Sequence, residues 1–224
     1  MKYYPINIDI RGKSVIIVGG GAVAERKCRT LLEAGARVTV IAPRLSRGLL
    51  YLQEKGKIEH LAREYRRGDL DGAFLVFVAT GNRSISRAAA AEAAEWRIPA
   101  NIADMPELSD FITPSSVARG DLLLTVSTSG ICPVLARDIR EELDQHYGEE
   151  YGLCLRVLGA VRERLLTLKR GGHVTKEILH SLISGGLPKL LGSGSLDAAD
   201  RLLREIAGPG FSLRELGVDE RAPE

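Results

Sequence analysis

The segment SVIIVGGGAVAERKCRTLLEAGARVTVIAP, residues 14–43, constrains the fold more tightly than any other part of the chain. Residues 15–18 form a β-branched run of the kind found in strands buried on both faces. Helix formers follow over residues 22–34, Gly35 stands where a left-handed residue would end the helix, and residues 37–41 read as a second strand. Between the first strand and the helix, Gly19-Gly20-Gly21-Ala22-Val23-Ala24 fits G-x-G-x-x-A. In that pattern Gly19 permits the tight turn, Gly21 lets a pyrophosphate approach the backbone, and Ala24 lets the helix pack closely on the sheet. The N–H groups at the helix start, at Ala22 and Val23, would face the phosphates together with the positive end of the helix dipole. The segment is therefore expected to bind a dinucleotide.

The second strand ends in Ala42-Pro43-Arg44, where such a fold commonly places an acidic residue for the adenosine ribose. Either Arg44 grips a 2′-phosphate, which would mean NADP, or backbone groups around Pro43 hold the ribose and Arg44 stays exposed or stacks on the adenine. The residues by themselves leave both open.

The same alternation continues: a helix over residues 45–55, a short strand over 58–60, a buried strand over 74–79, an alanine-rich helix over 84–96 and a strand over 98–102. Strands alternating with helices imply right-handed crossovers and a parallel sheet. Residues 1–113 thus read as a Rossmann-type domain. Thr80-Gly81-Asn82 follows a strand on the edge where ligands collect, and could line the nicotinamide side or cap the next helix.

After residue 113 the pattern changes. Residues 122–127 run apolar, and STSGICPVLARDIREEL then turns into a helix with Pro133 in its first turn. From residue 151 the apolar positions Cys154, Val157, Leu158, Val161, Leu165 and Leu168 mark one buried helical stripe. Glycine pairs at Gly171-Gly172 and Gly185-Gly186 separate further short helices, and the closing GVDERAPE is expected to be mobile. The fold class is α/β: a Rossmann-type parallel sheet, a central segment over 114–147 and a helical segment over 148–224.

Charge and cysteine content exclude several classes. The net charge of +2 gives no global field for nucleic acid or an anionic membrane, and the Arg63, Arg66, Arg67 cluster reads as a solvated face. Cys28, Cys132 and Cys154 are widely spaced with no CxxC pair, which argues against a disulfide framework or a zinc site. No stretch approaches the roughly 20 apolar residues of a membrane span, and Pro5, Asp9 and Arg11 interrupt the N-terminus where a leader would be apolar. A cytoplasmic protein without a resident metal is expected.

Four stretches together carry a family resemblance: YYPINIDIRGKSVIIVGGGAVAERKCRTLLEAGARVTVIAP, DLDGAFLVFVAT, NIADMPELSDFITPSS and LLLTVSTSGICPVLARDIREEL. They contain GGG-x-VA-x-RK, N-x-x-D with F-I-x-P-S, and T-x-G-x-x-P-x-L-A-R. The chain closely resembles the precorrin-2 dehydrogenase and sirohydrochlorin ferrochelatase family, the dehydrogenase part of siroheme synthases, over about residues 3–146. The resemblance implies NAD⁺-dependent oxidation of precorrin-2 to sirohydrochlorin, with Fe²⁺ as a co-substrate in those relatives that also insert the metal. It implies a homodimer joined through the central segment, and NAD rather than NADP despite the missing acidic residue.

It also implies roles for single residues. Asp104 matches the family's catalytic carboxylate, and a carboxylate at the cofactor edge can accept a proton as hydride leaves. The alternative is a turn aspartate bonding to nearby backbone before Pro106. Thr128 and Ser129 either cap the following helix or receive a substrate carboxylate. Some bifunctional relatives carry a modified serine at the position of Thr128. Among Arg119, Arg137 and Arg140, Arg137 is the main candidate to bind carboxylates of the ring. The rival from another class is a dimeric NAD(H)-sensing regulatory domain, which would need no carboxylate at the hydride site.

Overall fold

The β-branched run that opens the glycine segment is the central strand of a five-stranded parallel sheet. The computed structural model describes residues 2–218, and the chain falls into two units, Met1–Thr113 and Pro114–Glu224. In the first unit β1 (Ser14–Val18), α1 (Ala22–Glu33), β2 (Arg37–Ile41), α2 (Arg47–Glu54), β3 (Ile58–Leu61), β4 (Leu75–Val78), α3 (Arg83–Glu95) and β5 (Ala100–Ile102) follow one another. The sheet order is β3-β2-β1-β4-β5, so the direction of winding reverses between β1 and β4. Open α/β sheets hold their ligands at such a reversal, beyond the carboxyl ends of the strands.

The register brings those ends to one level. Val18 pairs with both Ile41 and Val78, and Val78 pairs with Ile102. Residues 19–21, 42–46, 79–82 and 103–104 therefore emerge along a single edge. Burial on both faces accounts for the unbroken apolar character of β1. Val15 and Ile17 pack with Ala24 and Cys28 of α1, while Ile16 and Val18 pack with Ala89 and Ala93 of α3. Each such Val or Ile contributes about 1.5–3 kcal/mol by leaving water.

Element limits differ from expectation where a cap intervenes. The helix expected from residue 45 starts at Arg47, because Ser46 is its N-cap and its Oγ accepts from the N–H of Leu49 at 3.3 Å. The strand expected from residue 98 starts at Ala100. Ile98 instead donates its N–H to Ala93 at 2.8 Å, closing α3, after Arg97 has turned through φ +56°.

The second unit begins with a hairpin of β6 (Ser115–Arg119) and β7 (Leu122–Val126), turned at Gly120 with φ +57°. The sequence reading missed β6, since SSVAR shows no apolar alternation and buries only Val117. Helices α4 (Pro133–His146), α5 (Glu150–Thr167), α6 (Gly172–Ser184), α7 (Leu187–Gly192) and α8 (Leu196–Ala207) complete it. The expected stripe on α5 buries Cys154, Val157, Val161 and Leu165 against Leu182, Leu187 and Leu203, with Leu158 partly buried. Leu168 departs from it, being the C-cap residue and 54% exposed. Among the described residues no helix is long and apolar enough to cross a membrane. Most of the closing stretch expected to be mobile, residues 219–224, lies outside the described residues.

Candidate functional site

Each glycine of the turn after β1 meets a different demand. Gly19 has φ +127°, and a Cβ there would lie 2.2 Å from the carbonyl oxygen of Ala79. Gly20 lies outside the left-handed region, but its Cβ would lie 2.0 Å from the carbonyl oxygen of Arg44. Gly21 faces nothing within 4 Å. Two glycines thus let backbone approach backbone, and the third keeps a space clear. Gly21 is also the N-cap of α1 and supplies no side-chain hydrogen bond, so the N–H groups of Ala22 and Val23 open the helix uncapped. An anion suits that position. Sequence reading assigned Gly19 and Gly21 but missed Gly20, because the motif tolerates any residue there and the obstructing carbonyl comes from another loop.

That loop, residues 42–46, is firmly held. The Ala42 carbonyl lies 2.8 Å from His60 Nε2, and Ser46 donates its N–H to Gly20 O at 2.7 Å. Ser46 Oγ also donates to Glu25 Oε2 at 2.6 Å, and Arg29 donates to Oε1 of the same carboxylate at 2.8 Å. The Ser46 hydroxyl and then the Arg29 guanidinium hold the Glu25 carboxyl below the usual range. Pro43 and Arg44 are exposed on this braced loop, and no acidic side chain follows β2.

On the far side of β1, Thr80 Oγ1 accepts from the Asn82 N–H at 2.8 Å. Asn82 Oδ1 then accepts from the N–H groups of Ser84 at 3.0 Å and Ile85 at 3.4 Å, capping α3. Gly81 between them has φ +70°. A cleft of about 390 Å³ opens here, walled by the glycine turn, by residues 41–45, and by Glu64, Tyr65, Thr80, Asn82 and Ile85. Among the sequence candidates Gly19, Gly21, Pro43, Arg44 and Thr80 line it, whereas Ala22, Val23 and Gly81 are not in its wall. Tyr65 and Ile85 were missed, since a loop after β3 and the third residue past a helix cap carry no motif.

Asp104 is exposed in the turn after β5. It does not bond to nearby backbone, as the turn alternative would have it. Its oxygens receive the hydroxyl of Ser86, which is fully buried on α3, at 2.9 and 3.1 Å. One proton serves two oxygens, so the carboxylate keeps accepting capacity toward solvent. Ser86 adjoins Ile85 of the cleft wall, and Asp104 leaves the sheet beside the strand that leads to Thr80. The neighbouring motif residues serve the fold: Ser109 Oγ accepts from Ile102 N–H at 2.8 Å and Asp110 from Ala100 N–H at 2.9 Å. They satisfy the donors of an edge strand.

The remaining candidates lie in the second unit. Thr128 does not cap α4, whose N-cap is Cys132 and which has no side-chain cap bond. Its hydroxyl closes the preceding loop, donating to Cys132 O at 3.0 Å and accepting from Cys132 N–H at 3.3 Å. Ser129 follows at φ +55°, with its N–H donated to Ser127 Oγ at 3.2 Å. The arginines separate by burial. Arg119, 14% exposed, donates to Asp144 Oδ1 at 2.8 Å and ties β6 to α4. Arg137 is 64% exposed, with carboxylates no nearer than 3.9 Å, so its guanidinium stays available. The Arg63 to Arg67 cluster is more than a solvated face: Arg63 forms a bidentate pair with Asp69 at 2.7 Å, and Arg67 pairs with Glu95.

A family model described as "Putative NAD(P)-binding" matches residues 6–115. A siroheme synthase from Thioalkalivibrio sulfidiphilus is 33% identical over 217 residues, covering 97% of this chain and 44% of that protein. Siroheme synthase 3 from Aeromonas hydrophila subsp. hydrophila is 42% identical over 165 residues, covering 74% of this chain and 35% of that protein. The chain thus spans less than half the length of these relatives. The solved structure of SirC, a precorrin-2 dehydrogenase, superposes with a TM-score of 0.75 at 27% identity, over 91% of this chain and 98% of that one.

Proposed function

Because the chain belongs to the precorrin-2 dehydrogenase and siroheme synthase family, we propose that it oxidises precorrin-2 to sirohydrochlorin with NAD⁺, a step of siroheme biosynthesis. The observation that carries this is the pairing of a dinucleotide cleft at the β1/β4 reversal with an accessible carboxylate at the same sheet edge. The residues fit the cofactor: open space over Gly21 and an uncapped α1 suit a pyrophosphate, held by the N–H groups of Ala22 and Val23. Thr80 and Gly81 would stand toward the nicotinamide, and Pro43 and Arg44 toward the adenosine ribose. When bound, the cofactor supplies the acceptor for hydride.

Asp104 takes the proton that the substrate releases as it is oxidised. Its direction is set by Ser86, and its exposure keeps it within reach of a large ring. Thr128, Ser129 and Arg137 bind carboxylates of the substrate, the first two from the loop before α4 and Arg137 through an exposed guanidinium whose nearest carboxylates lie 3.9 and 4.0 Å away. The same aspartate would collect pyrrole protons if the chain also inserts Fe²⁺, which enters here as a substrate; an iron-insertion assay with purified protein tests that activity.

The chain acts in the cytoplasm as a homodimer joined through residues 114–147. In support, α4 buries only Ala136 in the single chain, while Ile131 (88%), Val134 (58%) and Leu135 (50%) are exposed. Apolar surface of that kind is commonly covered by a second subunit. Incubating purified protein with precorrin-2 and NAD⁺ while following absorbance of NADH and sirohydrochlorin tests the activity. Binding of NAD⁺ without turnover would favour the sensor instead.

A further inference from the structure

The connection between β3 and β4, residues 62–74, is held by a carboxylate for which the chemistry above has no use. Glu92 on α3 is fully buried and accepts three hydrogen bonds: from Tyr65 Oη at 2.5 Å, Gly68 N–H at 3.0 Å and Leu70 N–H at 3.1 Å. A charge taken out of water needs such partners to be tolerated at all. Asp69 braces the same loop, accepting from the Arg66 N–H at 2.8 Å as well as from Arg63. Leu70 is itself fully buried. A loop fastened at this many points presents a fixed surface.

That surface includes Tyr65. Its ring forms part of the cofactor cleft together with Ile85, and it also bounds a second hollow of about 270 Å³ beside Ser84 and Ala88. Burial, and then the Glu92 carboxylate, push the Tyr65 hydroxyl above its ordinary value, so it remains a donor. The bond at Oη restrains the ring in the wall.

We infer that Tyr65 is the platform on which the cofactor's adenine rests, and that Glu92 is the residue that positions it. This rests on the cleft being the NAD site. With the pyrophosphate at the glycine turn and the nicotinamide directed to the edge beside Asp104, the adenosine half takes the portion walled by residues 41–45, Tyr65 and Ile85. An aromatic ring and a branched aliphatic side chain match the flat apolar face of a purine.

Titration calorimetry of NAD⁺ into the full chain and its variants tests this. Tyr65→Ala weakens binding about ten-fold or more through lost stacking. Tyr65→Phe and Glu92→Gln, which keep the ring but loosen its tether, weaken it only a few-fold. A second measurement needs no variant: with labelled tyrosine, magnetisation passes between adenine protons and one tyrosine ring in the wild-type complex, assigned to Tyr65 by Tyr65→Phe. In Glu92→Gln that transfer diminishes, which a purely stabilising role for Glu92 would not produce. Unchanged NAD⁺ affinity in a folded Tyr65→Ala protein, or no tyrosine ring near the adenine in wild type, overturns the inference while leaving the dehydrogenase assignment intact. If the wild-type chain binds no NAD⁺, the cofactor assignment itself falls and takes this inference with it.

Discussion

The hydroxyl of Ser86 lies 2.9 Å from one oxygen of Asp104 and 3.1 Å from the other, so a fully buried helix residue aims an exposed carboxylate at the sheet edge. Removing the carboxylate should therefore affect chemistry and not cofactor binding. Asp104→Ala is expected to slow oxidation of precorrin-2 by about 10²–10⁴-fold with NAD⁺ affinity unchanged by calorimetry. Ser86→Ala should give a smaller loss in kcat, since the carboxylate remains but is no longer aimed. Near-normal turnover by Asp104→Ala would end its role as proton acceptor.

Gly20 and Gly21 are neighbours with opposite constraints, and substitution should separate them. Gly20→Ala drives a methyl group against the Arg44 carbonyl 2.0 Å away, and the fold should lose at least about 1–3 kcal/mol. A Cβ at Gly21 meets nothing within 4 Å, so Gly21→Asp should melt like the parent, yet lose NAD⁺ binding through steric and charge conflict with the pyrophosphate. Thermal melts paired with calorimetry check both, and an unaltered NAD⁺ affinity in Gly21→Asp would refute the turn assignment.

NAD⁺ should bind more tightly than NADP⁺ even though Arg44 follows β2. Arg44 is exposed and forms no ion pair among the described residues, whereas the acidic residue Glu64 lines the same cleft. A 2′-phosphate would meet that charge, so Glu64→Gln should narrow the difference between the two cofactors. A strong NADP⁺ preference in the parent would assign Arg44 to the phosphate instead.

Lys27 gives a prediction in pH. Its ammonium sits over the Phe77 ring at 4.9 Å and 3.3 Å from Thr113 Oγ1, and burial lowers its pKa from 10.5 to about 8. Below pH 8 both folded and unfolded chains hold the proton, and the folded one bears the desolvation penalty. Between about pH 8 and 10.5 the folded chain binds fewer protons than the unfolded one, so its stability rises with pH. Lys27→Met should accordingly be more stable than the parent at neutral pH, by a margin that shrinks as pH climbs toward 10.5. Denaturant melts across that range measure it, and a margin independent of pH would contradict a buried ammonium.

Much of the site was legible because its constraints are local. The left-handed backbone of Gly19, the uncapped start of α1 and the left-handed Gly35 after it follow from dihedral limits within a few residues. The surroundings of Thr128 were not legible for the complementary reason: its residue type and place offered a cap on the following helix or a contact to a substrate carboxylate, and only the path of the loop shows that its hydroxyl bonds to Cys132 and does not cap α4.

From its order of residues alone, the chain determined an alternating βα pattern, a strand buried on both sides, and a glycine turn opening a helix, since periodicity and φ limits act over neighbouring positions. Tertiary structure alone decided that Arg44 O excludes a side chain at Gly20, that Ser86 reaches Asp104 across 18 residues, and that Glu92 takes hold of Tyr65 across 27. Those contacts exist because the crossovers of a parallel sheet pack helices and loops distant in sequence against one another, and no short window of sequence contains both partners.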